Sequence, residues 1–219
     1  MNLAERASRF AALGDPARLA MVEDLAGSDW SPHELAERHG LPSNLLAHHL
    51  SVLEQAGMIE RLRSSGDRRR RYVRLRHSAL VEVEVGVRLP DGPVLFVCTH
   101  NSARSQLAAA LWSRQVGTEA GSAGTHPAKR VHPEAVTAAN RAGLDLTTAQ
   151  PRLLSEVEFE PALVVTVCDR AHEELVPEPG WWHWSIPDPV EDPAPGAFDA
   201  ALERLRSRIK TLTKGNDGG

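Results

Sequence analysis

This chain has few cysteines and no long apolar run. Its two cysteines, Cys98 and Cys168, stand 70 positions apart. That excludes the disulfide framework of a small secreted domain, and no C-x-x-C pair suggests structural zinc. Such thiols are either inert core groups or reactive ones, and their neighbours decide. No apolar stretch approaches the roughly 18 residues that a membrane span requires. The opening MNLAERASRF lacks the basic-then-apolar design of a secretory signal. The expectation is a cytoplasmic protein with no membrane partner.

What remains is ordinary for a globular chain: 219 residues, 42% hydrophobic and 25% charged. This length suits two small domains better than one. The net charge of −4 conceals an uneven distribution, because residues 61–76 hold eight arginines against one acid, Asp67. A basic strip of this kind is how a nucleic-acid contact hides inside an acidic total.

The first 60 residues read as short helices separated by breakers. Leu3 to Leu13 carries helical apolar spacing and is stopped at Gly14-Asp15-Pro16, with Pro16 in a first turn. Leu19, Val22 and Leu25 continue the pattern to Gly27. Ser31-Pro32-His33-Glu34 is a capping box that opens a helix through Arg38. After a turn at His39 to Pro42, Ser43 is placed to cap the next helix, Asn44 to Gln55. There Leu46, Leu50 and Leu53 face inward, leaving Asn44, Ala47, His48 and Ser51 outside. Met58 to Arg63 and Arg69 to Arg76 flank a Ser65-Gly66-Asp67 turn and read as a hairpin.

This order is that of a winged helix-turn-helix, with the second helix in the major groove and the hairpin on the DNA backbone. Arg68, Arg69, Arg70 and Arg71 would neutralise phosphates, while Ser43, Asn44, His48 and His49 are the candidates for contact from the helix. Residues 8–76, through FAALGDPARLAMVEDL, SPHELAERHGLPSNLLAHHLSVLEQAGMI and RRRRYVRLR, resemble ArsR-family transcriptional repressors. The resemblance implies a homodimer, formed through this N-terminal domain, on a palindromic double-stranded DNA operator. Metalloid-sensing members often carry a cysteine pair here, but residues 1–92 contain no cysteine. No metal site is expected either. Ser78 to Leu89 is ambiguous: VEVEVGV alternates as a strand does, where ArsR-like folds place a helix. Pro90 to Pro93 is a break, so the domains are set at 1–89 and 93–214.

Val94 to Val97 reads as a buried parallel strand leading into Cys98-Thr99-His100-Asn101-Ser102-Ala103-Arg104-Ser105 and then a helix to about Gln115. Strand, tight polar loop and helix aim successive amide N–H groups at one point, an oxyanion cradle formed by residues 99–104. The glycines and lysine of a nucleotide-binding loop are missing; a sulfur and a guanidinium replace them. The cationic surroundings are expected to lower the Cys98 pKa, with Ser102 and Ser105 as hydroxyl donors to the sulfur. Asn101 suits a left-handed backbone, and Arg104 offers a fork to equatorial oxygens. Ala162 to Val167 and Trp181 to Ile186 read as further strands. In a parallel sheet, Cys98, Cys168 and Asp188 then meet at one rim, where Asp188 could act as general acid.

Residues 93–213 resemble the low-molecular-weight protein tyrosine phosphatase fold, in its arsenate reductase branch. VLFVCTHNSARSQLAAAL, AGSAGTHPAKRVHPEAV, VVTVCDRA and WSIPDPV carry the likeness. It implies a four-stranded parallel sheet in an α/β domain. Cys98 would be the nucleophile, Arg104 the oxyanion binder, Asp188 the acid and Cys168 the thiol that resolves the arsenic adduct. Thioredoxin-coupled relatives carry one more cysteine, absent from AHEELVP. Two routes stay open: Cys168 forms a disulfide opened by an external reductant, or a small thiol such as mycothiol resolves the adduct and Cys168 is structural. No bound cofactor is expected, only a reductant of thioredoxin or mycothiol/mycoredoxin type. The alternatives to an arsenate reductase fused to a DNA-binding regulator are an oxyanion or redox sensor without turnover, and a phosphatase.

Overall fold

The computed structural model describes residues 2–76, 89, 91–175 and 177–214. The ambiguous stretch from Ser78 lies, apart from Leu89, outside the described residues. The helical opening forms as expected: α1 Leu3–Leu13, α2 Pro16–Gly27, α3 Pro32–His39 and α4 Ser43–Gln55. Local chemistry sets each start. Asp15 accepts the Arg18 N–H, and Ser31 and Glu34 form a reciprocal capping box. Gly40, at φ 60°, ends α3 in the left-handed conformation that glycine adopts without steric penalty. Ser43 does not cap α4: the helix begins at Ser43 itself, Pro42 holds the cap position, and no side chain bonds the first turn. The proline's fixed φ starts that helix without a hydroxyl.

The hairpin pairs β1 Ile59–Arg63 with β2 Arg71–Leu75 in antiparallel register. Trp30 exchanges both backbone hydrogen bonds with Val73, so a third segment lies beside β2. Leu25, Leu35, Leu46, Leu50, Leu53, Met58, Ile59 and Val73 share one core.

The later residues form β3 Val94–Cys98, α5 Arg104–Gln115, β4 Ala120–Gly124, α6 Pro133–Arg141, β5 Leu163–Thr166, α7 Asp169–Leu175, β6 Trp182–His183 and α8 Ala197–Lys214. The chain divides into two compact units, one carrying α1 to β2 and the other β3 to α8. In the second, the strands form a parallel sheet in the order β4-β3-β5-β6. Residues of β3 alternate between the two faces. Leu95 and Val97 pack with Ala123 and Val164, whereas Phe96 meets the rings of Trp112 and Trp184.

Two features depart from the sequence reading. The strand expected over Trp181 to Ile186 is paired only at Trp182 and His183. β4, with the sequence AGSAG, is a full strand despite a composition poor in β-formers. The order in which strands are added reverses at β3, since β4 lies on one side of it and β5 on the other. The carboxyl ends of β3 and β5 therefore border the crevice where parallel sheets bind ligands. Among the described residues, no helix is long and apolar enough to cross a membrane.

Candidate functional site

Cys98 closes β3 and Arg104 opens α5, so the intervening five residues must turn within a very short span. Asn101 makes that turn at φ 47° and is fully buried. Its short polar side chain satisfies local bonds that a hydrocarbon could not. Its backbone N–H donates to Cys98 Sγ at 3.2 Å, and Ser105 Oγ lies 3.0 Å from the same sulfur. Asn101 Nδ2 in turn donates to Ser105 Oγ at 2.8 Å. Of the two serines expected beside the sulfur, Ser105 is the one placed there; Ser102 is half-buried, with its carbonyl accepting the His132 N–H.

Outward-facing carbonyls keep the loop in shape. The N–H groups of Thr125, His126, Ala128 and His132 donate to the carbonyls of Cys98, Thr99, His100 and Ser102 respectively. With these oxygens held on the outside, the amide hydrogens are left for the inner concavity. Gly124 lies directly behind: a Cβ there would come within 2.8 Å of Thr99 O. This buttress, residues 124–132, carries no side-chain signal in the sequence, since its bonds to the loop come from backbone N–H groups. The remaining cradle positions are Thr99 and Ala103, both buried, and His100, exposed at the rim.

Arg104 is 5% exposed, yet it remains a cation. Burial disfavours its charge, and Cys168, Cys98 and Asp188 outweigh that effect. Nη1 donates to the Ile186 carbonyl at 3.0 Å and Nη2 to Asp188 Oδ2 at 2.6 Å. This fork joins the loop after β3 to the Pro187–Pro189 segment, so Asp188 reaches the site as topology required. Cys168 follows β5 and is buried, with its sulfur 3.1 Å from Thr99 Oγ1. Cys98, Arg104, Ser105, Cys168 and Asp188 thus gather at one rim.

The electrostatics correct one expectation. Burial pushes the Cys98 thiol above its ordinary value; Arg104 pulls it down, charge on Cys168 pushes it further up, and the Ser105 bonds lower it. Desolvation outweighs the Arg104 guanidinium in this balance, so the net direction is upward, opposite to the lowering expected from the cationic surroundings alone. Beside Cys168 lies a second buried polar group that sequence reasoning did not find. His183 Nε2 is 3.0 Å from Asp169 Oδ1, and Thr166 Oγ1 lies between His172 Nδ1 and His183 Nδ1 at 3.0 and 2.9 Å. Burial alone would raise the Asp169 carboxyl, but the His183 bond and charge hold it below the usual range.

In the first unit, Ser43, Asn44 and His48 are exposed on α4, and Arg68, Arg69, Arg70 and Arg71 are exposed at the hairpin. His49 is not available for base contact. It is 6% exposed, with Nδ1 3.9 Å from Asp15 Oδ1, because three residues after Leu46 it falls on the buried stripe.

Residues 93–216 match the family described as low molecular weight phosphotyrosine protein phosphatase, and residues 13–61 match a helix-turn-helix domain. Arsenate reductase 2 of Staphylococcus epidermidis is 31% identical over 123 residues, covering 54% of this chain and 90% of that protein. The arsenate reductase of Brevibacillus brevis is 31% identical over 127 residues, 55% of this chain and 93% of its own. A solved arsenate reductase from Archaeoglobus fulgidus has 32% identity and a TM-score of 0.48, covering 55% of this chain and 98% of that one.

Proposed function

Because the chain belongs to the low molecular weight phosphotyrosine protein phosphatase family, we propose that its second part, residues 93–214, reduces arsenate to arsenite. The first part, residues 1–89, is then an ArsR-like transcriptional regulator. The observation that carries the reductase reading is the second thiol. Cys168 stands against Thr99 of the nucleophile's own loop, and hydrolysis of a phosphoester has no use for it. The curated relatives carrying the name arsenate reductase match over the same residues.

The chemistry follows from the site. Arsenate enters the cradle of residues 99–104 with Arg104 on its equatorial oxygens. Cys98 sulfur bonds to arsenic and one arsenate oxygen leaves as water. The thiol proton ends on that water, and Asp188, bonded to Arg104, is the acid that conveys it. Ser105 bonds the sulfur until it attacks. Cys168 then attacks Cys98 Sγ: the sulfur–sulfur bond forms, the sulfur–arsenic bond breaks, and its electron pair stays on arsenic. Arsenic(V) leaves as arsenic(III), with the Cys168 proton on an arsenite oxygen. An external dithiol of thioredoxin type, or a small thiol of mycothiol/mycoredoxin type, reopens the disulfide.

The first part binds a double-stranded operator as a homodimer in the cytoplasm. Ser43, Asn44 and His48 face the groove, and Arg68 to Arg71 face phosphates. Tyr72, the chain's one tyrosine, is buried in the hairpin, so no tyrosine borders the site as an aryl phosphate would favour. The test is arsenite release by the full chain, with thioredoxin, mycothiol and glutathione systems run in parallel. Release is expected with at least one and abolished by Cys98→Ser. Release that survives the substitution, or aryl phosphate turnover faster than arsenate reduction, refutes the assignment.

A further inference from the structure

The amide ring that faces the nucleophile is shaped by a residue outside it. Gln106 sits on the first turn of α5, almost fully buried. Its Nε2 lies 3.2 Å from Asn101 O, 3.2 Å from Asn101 Oδ1 and 3.2 Å from Gln150 O. One amide group thus grips both the backbone and the side chain of the residue at φ 47°, while tying it to the 150–152 segment. Asn101 Oδ1 also accepts the Arg152 N–H at 2.9 Å. From Asn101 two bonds run to the sulfur, directly through its N–H and indirectly through Ser105 Oγ.

We infer that Gln106 is a positioning residue for the nucleophile: its side-chain amide fixes Asn101 in the left-handed turn that aims the Asn101 N–H and the Ser105 hydroxyl at Cys98 Sγ. The left-handed region is unfavourable for any side-chain-bearing residue, so the turn persists only where neighbours over-determine it. Without the Gln106 donor, Asn101 O and Oδ1 lose a buried partner, and the turn can relax toward negative φ. That rotation carries the Asn101 N–H away from the sulfur. Both bonds to Cys98 favour the thiolate over the thiol, so their misalignment makes the sulfur harder to ionise. The inference rests on Cys98 being the reacting thiol, as proposed above, but not on arsenate being its substrate.

Besides burial and the Ser105 bonds, the ionisable groups acting on Cys98 are Arg104 on α5 and Cys168 after β5, with Asp188 paired to Arg104. None touches Gln106 in the bonds above, so a change at position 106 reaches the sulfur through Asn101. The experiment is iodoacetamide alkylation of the full chain across pH, in a Cys168→Ser background where Cys98 is the one remaining thiol. Gln106→Met and Gln106→Leu both remove the donor at similar volume and add no charge. Each is expected to move the alkylation midpoint up by about one pH unit, a roughly 10-fold lower rate at neutral pH. Circular dichroism and thermal melting report whether each variant is folded, and the folded one decides. A purely structural glutamine would lower the melting temperature and leave the profile in place. Profiles that superimpose on the parent's overturn the inference, whether or not the parent reduces arsenate.

Discussion

Gly124→Ala is the substitution whose effect the geometry defines most closely. A Cβ at this position would stand 2.8 Å from Thr99 O, 3.0 Å from Asn101 Cβ and 3.1 Å from Asn101 N. Against the 3.4 Å where ordinary contact begins, the first is short by about 0.6 Å. None of the three is the end of a flexible side chain. Thr99 O is held by the His126 N–H, and Gly124 itself is held by its own N–H to Arg152 O. Either β4 or the anion loop must shift. Overpacking of this size costs about 1–3 kcal/mol, and for a domain of this length lowers the melting temperature by about 3–10 °C. A misplacement of 1 Å at a reacting centre costs about 100-fold in rate, so half that shift reduces arsenite release by about 10-fold. Thermal melting and initial-rate assays on one preparation measure both. Gly117→Ala is the control: Gly117 has φ 81° with nothing within 4 Å of its Cβ position. It should cost about 1 kcal/mol of stability and leave the rate alone. A Gly124→Ala chain with parental melting temperature and parental rate would refute the claim that β4 buttresses the loop.

Other expectations concern charge and contact. Since burial raises the Cys98 thiol, less of it is thiolate at neutral pH than in a free cysteine. Its alkylation rate should still be climbing where an ordinary thiol, with a pKa of about 8.5, has levelled off; a plateau below that pH contradicts the burial argument. Arg104→Lys keeps the charge but loses the fork to Ile186 O and Asp188. A fall of about 100-fold in kcat/KM for arsenate is expected in steady-state assays. On DNA, His48→Ala should change operator preference, whereas His49→Ala should lower the melting temperature and leave preference intact, as read by binding to operator variants. Arg70→Ala should weaken binding to all sequences alike and reduce the salt slope by about one.

The residues announce some of this molecule and conceal the rest. Helices α1 to α4 are legible because breakers and caps carry their own local signals: Asp15-Pro16, Ser31 with Glu34, and Gly40 act within a few residues of themselves. The anion loop is legible for a related reason, since Cys98, Asn101, Arg104 and Ser105 lie within a single turn of chain. Strand β4 was hidden because its residues are chosen for smallness: Gly124 makes room for the loop, and a Cβ on Gly121 would meet the Phe159 ring at 2.7 Å. His49 is polar by type, but its position in register with Leu46, Leu50 and Leu53 buries it. The Cys98 shift escaped because cationic neighbours are visible in a sequence while burial is not. The Asp169–His183–Thr166–His172 group is assembled from β5, α7 and β6, and no spacing along the chain foretells it.

The most direct measurement is a single turnover. Fully reduced protein, freed of small thiols, is mixed with arsenate, and both arsenite and the Cys98–Cys168 bond are quantified by chromatography and mass spectrometry. One arsenite and one intramolecular disulfide per chain are expected, with neither formed by Cys98→Ser. Both thiols still free and no arsenite after prolonged mixing would contradict the account.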